Sequence, residues 1–305
     1  MRAFAIPMRV RFRGLTRREG ALIQGPAGWG EFSPFAEYGP AEAARWLAAA
    51  REAADTGFPA PVRDRVPVNV TVPAVEPGRA WEITAGSGCR TAKVKVAERG
   101  QADADDLARV EAVRDAIGPG GRVRIDVNGA WDVERAVRMV KLLDAFDLEY
   151  VEQPCATVEE LARVRRRVEV PVAADESIRR ADDPFRVVAA EAADIAVLKV
   201  QPLGGVAPAL AIAEAIGLPV VVSSAVETSV GLAAGVALAA ALPDLPYACG
   251  LATLSLLDGD VTGDPLVAVD GEIAVRRPEV DLAALARYEV DPTAWRRRAE
   301  EAGRA

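Results

Sequence analysis

RVRIDVNGAWDVERAVRMVKLLDAFDLEYVEQP (122–154) is the stretch that decides the fold, because it runs from one short strand through a helix to another strand. Its first and last segments are rich in β-branched and aromatic residues, and its middle segment, which follows Asp132, is typical of a helix. Similar runs recur from residue 66 onward, with Ala-rich helical stretches between them. This alternation indicates repeated βα units around a parallel sheet. The candidate strands span 66–72, 91–96, 122–127, 148–152, 170–175, 194–200, 218–224 and, less clearly, 247–253.

Seven or eight βα units over about 190 residues predict an α/β fold with a TIM-like barrel at 66–264. Residues 1–65 alternate hydrophobic and polar positions before an Ala-rich helix, which indicates a small α+β cap. The stretch 265–305 contains a strand-like piece and a charged helix, and we expect it to pack on the cap. A doubly wound open sheet is the alternative, because βα alternation alone does not show that a sheet closes.

The composition is that of a globular chain of 305 residues, half of them hydrophobic, with a net charge of −8. The negative charge argues against a nucleic-acid partner. Neither a long apolar run nor a signal peptide is evident, so we expect a cytoplasmic protein without a membrane partner. Three cysteines without a CxxC pair indicate reduced thiols rather than disulfides or a zinc site.

The sequence contains no histidine, which removes the commonest general base and the commonest transition-metal ligand. Acid–base chemistry therefore has to use other side chains, such as lysine or a carboxylate. Any metal site has to be built mainly from carboxylates, which suit hard cations such as Mg²⁺ or Mn²⁺.

Polar residues stand at the carboxyl ends of nearly all candidate strands, where a TIM barrel carries its active site. Alternation along a strand places Lys93 with Lys95, and Arg124 with Asp126 and Asn128, on one face each. So many charges are tolerated in a barrel mouth only if they compensate one another or hold a metal. Ordinary salt bridges remain the alternative for any single residue. The other strand-end residues are Glu152, Asp175, Glu176, Lys199, Ser223 and Ser224.

Asp126, Glu152 and Asp175 end three successive strands, and three converging carboxylates suit a Mg²⁺ ion that keeps positions open for a substrate carboxylate. Lys95 and Lys199 lie on strands that flank this group. Two lysines that face each other across a bound carboxylate can move a proton at its α-carbon, provided that burial lowers their pKa.

The motifs follow one another in order: KVK (93–95), DVN (126–128), EQP (152–154), DES (175–177) and LK with PLGG (198–205). Together they resemble the muconate-lactonising subgroup of the enolase superfamily, over almost the whole chain. The resemblance implies a modified (β/α)7β barrel with an enolase-type capping domain. It also implies Mg²⁺ as the cofactor, with Mn²⁺ as a substitute, and a small-molecule carboxylate as the partner.

The resemblance also assigns roles to individual residues. It makes Asp126, Glu152 and Asp175 the metal ligands, Lys95 the α-proton base, Lys199 its partner across the site and Lys93 an electrostatic helper. Asn128 and Glu176 would orient the ligands and Lys199. The substrate-binding residues predicted on this basis are Arg124, Gly204, Gly205, Ser223 and Ser224.

Several branches of the superfamily fit this sequence poorly. The missing histidine argues against the histidine-based branches, and GLATLSLL (250–257) lacks the Asp-x-Asp motif of dipeptide epimerases. The compact length, SSAVETS (223–229) and GWGEFSPF (28–35) resemble the o-succinylbenzoate synthase family. This resemblance implies syn dehydration of 2-succinyl-6-hydroxy-2,4-cyclohexadiene-1-carboxylate in menaquinone biosynthesis.

Other functions remain open. They are N-acylamino acid racemase, muconate cycloisomerase and, from another class, a barrel that binds a metal and a carboxylate without turnover. The sequence leaves both a monomer and a homo-oligomer open.

Overall fold

The computed structural model describes residues 1–180 and 183–305. The first described strands form an antiparallel sheet. Strands β1 (Arg2–Phe12) and β2 (Leu15–Gly25) form a hairpin, and β3 (Gly28–Phe32) pairs with the far side of β2. Arg13 and Gly14 make the hairpin turn, both with positive φ values of 52° and 78°. The turn lies over the barrel mouth, as described below.

Helix α1 (Pro40–Arg51) packs on this sheet and continues into one π-helical turn, Glu52–Thr56. Proline at the first helical position suits a helix start, because its missing N–H would have no partner inside the helix. Phe35, Tyr38 and Trp46 meet edge to face, with ring centroids 5.7–5.9 Å apart. These elements form the α+β cap that the first 65 residues predict.

The predicted strand 66–72 is divided in two. Strand β4 (Arg65–Pro67) lies outside the barrel sheet, and β5 (Val70–Val72) is the first strand inside it. Seven parallel strands then lie side by side in chain order. The remaining six are β6 (Thr91–Lys95), β7 (Arg122–Asp126), β8 (Leu148–Glu152), β9 (Val172–Ala174), β10 (Ile195–Leu198) and β11 (Val220–Val222).

Strand order decides between the two fold predictions. Consecutive strands are neighbours throughout, without the reversal of order that a doubly wound sheet requires. The sheet closes through the predicted eighth strand, which forms only two isolated bridges, Val68 to Cys249 and Ser223 to Gly250. The barrel prediction is therefore confirmed, whereas a regular eighth strand at 247–253 is not present.

Helices cover the outside of the barrel. Both faces of β5, β9, β10 and β11 are buried, as expected for parallel strands between a barrel core and helices. Asp132 and Thr157 cap two of the helices by accepting hydrogen bonds from backbone N–H groups. The helices are α2 (Pro77–Ala85), α3 (Asp103–Ile117), α4 (Val133–Leu143), α5 (Val158–Arg165), α6 (Glu176–Arg179), α7 (Arg186–Ala189), α8 (Val200–Leu203), α9 (Val206–Ile216) and α10 (Ser229–Ala241), with 3₁₀ turns at Asp144–Phe146 and Ala252–Leu256.

The stretch after residue 264 divides between barrel and cap. Strand β12 (Glu272–Ala274) pairs with β4 rather than with the cap, contrary to our expectation for this piece. After α11 (Leu282–Ala286), strand β13 (Glu289–Val290) joins the cap sheet beside β1. Helix α12 (Thr293–Ala302) then packs against α1.

The structure also describes the three cysteines and the lengths of the helices. Cys89, Cys155 and Cys249 are buried free thiols. Among the described residues, no helix is both long enough and apolar enough to cross a lipid bilayer.

Candidate active site

Five of the predicted residues lie together at the carboxyl ends of neighbouring barrel strands. Lys95, Asp126 and Glu152 are the last residues of β6, β7 and β8, and Asp175 and Lys199 directly follow β9 and β10. The three carboxylates are at most 1% exposed. Because the strands are parallel and in sequence order, these side chains point into one barrel mouth.

Strand register places two of these carboxylates beside the lysines of β6. Lys95 pairs with Asp126, and Asp126 with Glu152, across the ladder. Nζ of Lys95 lies 2.5 Å from Oδ2 of Asp126. Nζ of Lys93 lies 2.8 and 3.0 Å from the two oxygens of Glu152, and 3.5 Å from Asp126. Each buried charge therefore has an opposite charge in contact with it.

Asp175 is held from two sides. Nζ of Lys199 donates to its Oδ2 at 2.6 Å, and Nε of Arg179 donates to its Oδ1 at 2.9 Å. Arg179 is 2% exposed, lies one helical turn after Asp175 on α6, and also donates to the Tyr38 hydroxyl of the cap. The sequence analysis missed this arginine, although its spacing of four residues from Asp175 was a usable signal.

The buried carboxylates differ in how readily they ionise, because burial and neighbouring charges act on each of them. Burial, together with repulsion from Asp126 and Asp175, raises the pKa of Glu152 to about 7 despite the opposing charge of Lys93. Burial also disfavours the Asp126 anion, but Lys95 and Lys93 outweigh it and hold its pKa well below the usual range. Glu152 is thus the carboxylate whose charge a bound cation would stabilise most.

The same physics acts on Lys95. Burial lowers the pKa of its amine, and the nearby Lys93 cation lowers it further, against the attraction of Asp126. A lowered pKa increases the fraction of free amine, which is the form that accepts a proton. Nζ of Lys95 also donates to Oδ1 of Asn128 at 2.6 Å, so the amine is oriented.

Asn128 and Glu176 lie beside the charged groups and are hydrogen-bonded to each other. Nδ2 of Asn128 donates to Oε1 of Glu176 at 3.2 Å, and Arg179 donates to the same oxygen at 2.5 Å. Glu176 thereby links Asn128 to Arg179, which in turn holds Asp175, the partner of Lys199. A role for Glu176 in orienting Lys199 stays a prediction. These bonds connect the surroundings of Lys95 with those of Asp175.

A small cavity lies between the strand ends and the cap, and Lys95 and Lys199 both line it. Its volume of about 20 Å³ suits roughly one water molecule. Phe12 and Arg13 of the cap hairpin turn cover it, and the sequence analysis did not predict them. A cavity of about 220 Å³ continues outward from the same turn. The other residues lining the inner cavity are Thr71, Lys93, Asp126, Asn128, Ser223, Ser224, Ala225, Val226 and Thr253.

Arg124, one of the predicted substrate-binding residues, does not line this cavity. It lies two residues before Asp126 on the same strand face, about 7 Å deeper in the barrel. There it donates to Glu149 at 2.5 Å and to the Ala248 carbonyl at 2.6 Å, and it stacks on Tyr150. These contacts place its charge in the barrel interior rather than at the mouth.

Gly204 and Gly205 also lie away from the cavity lining, before the first turn of α9. A Cβ at Gly205 would lie 2.4 Å from Oε2 of Glu52. The Glu52 carboxylate accepts hydrogen bonds from the N–H groups of Val206 and Ala207 at 2.5 and 2.9 Å. Glycine suits this position chiefly because its φ of +141° is one that other residues rarely adopt, and a Cβ would also displace the Glu52 carboxylate. Neither reason involves the predicted substrate contact.

The predicted metal ligands do not form a preassembled cage. Within residues 1–180 and 183–305, no three carboxylate or thiol side chains are arranged so as to hold a metal ion. The lysines explain this, because Lys93 and Lys95 occupy the space beside Asp126 and Glu152. Three buried carboxylates, one of which ionises with difficulty, nevertheless supply the oxygen donors that a hard divalent cation prefers.

Two family models cover most of the chain. Residues 3–54 match the model described as "Enolase N-terminal domain-like", and residues 78–279 match "Enolase C-terminal domain-like". The chain is 74% identical to the o-succinylbenzoate synthase of Thermobifida fusca, over 97% of this chain and 94% of that protein. It is 60% identical to the enzyme of the same name from Mycolicibacterium smegmatis, over 92% and 87%.

Solved structures support the fold alone. The muconate lactonizing enzyme of Pseudomonas fluorescens superposes with a TM-score of 0.82 at 23% identity, over 95% of this chain and 97% of that chain. The L-Ala-D/L-Glu epimerase of Bacillus subtilis gives 0.76, also at 23% identity, over 92% and 96%. Together with the family models and the sequence relatives, these findings show that the chain belongs to the enolase superfamily and, within it, to the o-succinylbenzoate synthase family.

Proposed function

We propose that this protein is an o-succinylbenzoate synthase. It removes water from 2-succinyl-6-hydroxy-2,4-cyclohexadiene-1-carboxylate and forms 2-succinylbenzoate for menaquinone biosynthesis. The observation that carries the proposal is that Lys95 and Lys199 line one cavity beside three buried carboxylates. The chain that carries this site is 74% identical to a curated o-succinylbenzoate synthase.

Enzymes of this superfamily depend on a divalent metal ion, and we propose Mg²⁺ here. Asp126, Glu152 and Asp175 would hold it, after their present contacts with the lysines loosen. When bound, the ion supplies positive charge for the carboxylate of the substrate as negative charge develops there. Lys93 contacts both Glu152 and Asp126, and we assign it the role of an electrostatic helper.

Lys95 begins the reaction as a free amine. Its Nζ takes the proton from C1, the carbon that carries the substrate carboxylate, and the electron pair of that C–H bond moves onto the carboxylate before it returns to form the double bond between C1 and C6. The bond between C6 and its hydroxyl oxygen then breaks with its electron pair. The same Lys95 returns the proton to the departing oxygen, so one water leaves from one face and the ring becomes aromatic.

Lys199 acts from the other side of the cavity. As a cation, it stabilises the negative charge that develops on the substrate, and such electrostatic stabilisation is usually the largest contribution to catalysis. Its hydrogen bond with Asp175 fixes its position before substrate arrives. We propose that Ser223 and Ser224, which line the same cavity, contact the substrate.

Substrate entry requires the cap turn to move. The inner cavity of about 20 Å³ is far smaller than a substrate with a six-membered ring and a succinyl chain. Phe12 and Arg13 therefore have to swing outward, toward the larger cavity beside them. We propose a small-molecule carboxylate as the only partner that the chemistry needs, and a cytoplasmic location, which agrees with the free thiols.

N-acylamino acid racemisation is a second candidate activity. Lys95 and Lys199 both line the cavity, and racemisation needs a base on each face of an α-carbon. The two activities are separable by assay. The purified protein with Mg²⁺ should form the aromatic product from the cyclohexadiene substrate, measured by ultraviolet absorbance and mass spectrometry. Failure of a folded, metal-loaded protein to form this product would refute the proposed function.

A further inference from the structure

Val226, in the wall of the active-site cavity, has an unfavourable backbone conformation. Its φ is +63°, in the left-handed region that β-branched residues rarely adopt. Such a conformation is strained and persists only where neighbouring groups impose it. Val226 follows Ser224 and Ala225, and all three line the cavity together with Lys95 and Lys199. We define Ser224–Val226 as the wall segment.

An arginine of the cap holds the wall segment from behind. Nε of Arg18, on strand β2, donates to the carbonyl of Val226 at 3.0 Å. Arg18 is 2% exposed, and it does not line the cavity. The other restraints come from the barrel, where the N–H groups of Val226 and Ala225 donate to Ser224 Oγ and to the Glu227 carboxylate at 3.2 and 2.7 Å. Arg18 thus adds a hydrogen bond from the cap to a segment that also packs on apolar cap residues such as Phe12 and Phe32.

Arg18 is itself fixed in place by the short loop that follows β3, which contains Ser33 and Phe35. Its Nη2 donates to the Ser33 carbonyl and to Ser33 Oγ at 2.5 and 2.9 Å, and its guanidinium stacks 4.7 Å from the Phe35 ring centroid. Phe35 also stacks on Arg13 of the hairpin turn, again at 4.7 Å. One loop therefore orients both the arginine behind the wall segment and the arginine that covers the cavity.

Two buried carboxylates balance the charge of Arg18. Glu31 on β3 and Glu227 beside the wall segment are each 3% exposed, and both attract the guanidinium. Glu31 also accepts hydrogen bonds from the N–H groups of Thr228 and Gly231, both at 3.1 Å, at the start of α10. The cap thus fixes both the wall segment and the helix that follows it.

We propose that Arg18 is a positioning residue for the dehydration, which keeps the wall segment in its strained conformation and thereby sets the shape of the cavity against the two lysines. The inference rests on the proposed function, because a change in the shape of the cavity is measured as a change in the rate of dehydration. It predicts that loss of Arg18 lowers kcat more than it changes KM, since substrate still binds but lies less accurately beside Lys95.

Arg18→Met tests this, with Arg63→Met as the matched control. Arg63 also binds main-chain carbonyls, those of Ala239 and Leu242, but at the opposite end of α10 and away from the cavity. We expect Arg18→Met to lower kcat by about 10- to 100-fold and to change KM by less than about threefold. Arg63→Met should leave both constants unchanged, even if it lowers the melting temperature.

A second variant tests the strain itself. Glycine adopts positive φ at no steric cost, so Val226→Gly removes the need to force the conformation. The double variant Arg18→Met/Val226→Gly should therefore recover part of the kcat lost in Arg18→Met, by about fivefold or more. A double variant whose turnover equals or falls below that of Arg18→Met would contradict the strain argument.

Hydrogen–deuterium exchange gives a readout that does not depend on activity. Arg18→Met should raise the exchange rates of amides 225–231 by about tenfold, while Arg63→Met leaves them at the wild-type rates. Unchanged kcat and unchanged exchange in Arg18→Met would overturn the inference while the wild-type protein remains a synthase. If the wild-type protein forms no product, the proposed function fails, and unchanged exchange alone would then overturn the role of Arg18.

Discussion

Replacing Glu31 with glutamine should make the stability of the protein less dependent on pH. Burial raises the pKa of Glu31 to about 7, repulsion from Glu227 adds to the rise, and Arg18 opposes it. Glutamine has the same shape, and its carbonyl oxygen accepts from Thr228 and Gly231 while its amide group faces Ser33. The substitution therefore removes a titrating charge and keeps most of the hydrogen bonds.

The magnitude follows from the difference between the folded and unfolded states. The ordinary pKa of a glutamate in the unfolded chain is about 4.5, against about 7 for Glu31 in the folded protein. Between these pH values the folded protein holds a proton that the unfolded chain has released. The contribution to stability is therefore complete below about pH 4.5 and is lost as the pH rises through 7. The loss amounts to about 3 kcal/mol.

Urea unfolding at pH 5, 6, 7 and 8, followed by tryptophan fluorescence, measures this effect. The free energy of unfolding of Glu31→Gln minus that of the wild type should rise by up to about 3 kcal/mol across the series. Glu152 also titrates near pH 7, but both proteins carry it, so its effect cancels in the difference. Glu111→Gln, at an exposed position on α3, is the control for the substitution itself.

The result that would refute this reasoning is specific. A difference between Glu31→Gln and the wild type that stays constant from pH 5 to pH 8 would mean that Glu31 ionises normally in the folded protein. A difference that falls with pH would mean that Arg18 outweighs burial. Either result would refute the claim that burial of the Glu31 charge, where the cap meets the barrel, lowers stability at neutral pH.

Four further predictions concern the active site and the contact between the cap and the barrel. Excess EDTA should abolish turnover and added Mg²⁺ or Mn²⁺ should restore it, so full activity in EDTA would refute the ligand assignment. Glu152→Gln should lower kcat by about 100-fold or more and the free energy of unfolding far less, because Lys93 keeps Asp126 as a partner at 3.5 Å; urea unfolding and kinetics on the same sample check this. Lys95→Ala should abolish both dehydration and the exchange of the substrate α-proton with D₂O. Lys199→Ala should lose about 3 kcal/mol of transition-state stabilisation but retain slow exchange of that proton. The reverse pattern would mean that the roles of the two lysines are exchanged. Gly205→Ala should lower the melting temperature at unchanged kcat, because alanine rarely adopts the φ of +141° found here and its Cβ would displace the Glu52 carboxylate; an unchanged melting temperature would show that the backbone relaxes at no cost.

The barrel and the group of charged residues were predictable from sequence for one physical reason. In parallel strands that follow chain order, the last residue of each strand lies at the same end of the sheet. Lys95, Asp126 and Glu152 therefore come together without any knowledge of long-range contacts. The strand ends alone placed all five charged residues around one mouth.

Features that depend on depth or on distant contacts were not predictable in this way. Arg124 shares a strand face with Asp126, but alternation does not say how far down the barrel a residue lies. Phe12 and Arg13 reach the cavity only because the cap folds over the barrel, and their sequence shows merely a turn. The prediction of a regular eighth strand was wrong, because main-chain pairing at Cys249 and Gly250 stops after two bridges. A β-rich composition does not reveal where such pairing stops.

The pairing of β13 with β1 has a consequence for the order in which the protein forms during synthesis. Strands β1 to β3 leave the ribosome before the barrel strands, but one edge of their sheet has no partner until residues 289 and 290 emerge. The barrel strands are all made in the interval, so the barrel can fold while that edge of β1 is still open. An uncovered edge strand is a site for pairing with other chains. The growing chain therefore carries this open edge of β1 throughout synthesis of the barrel, until residues 289 and 290 cover it.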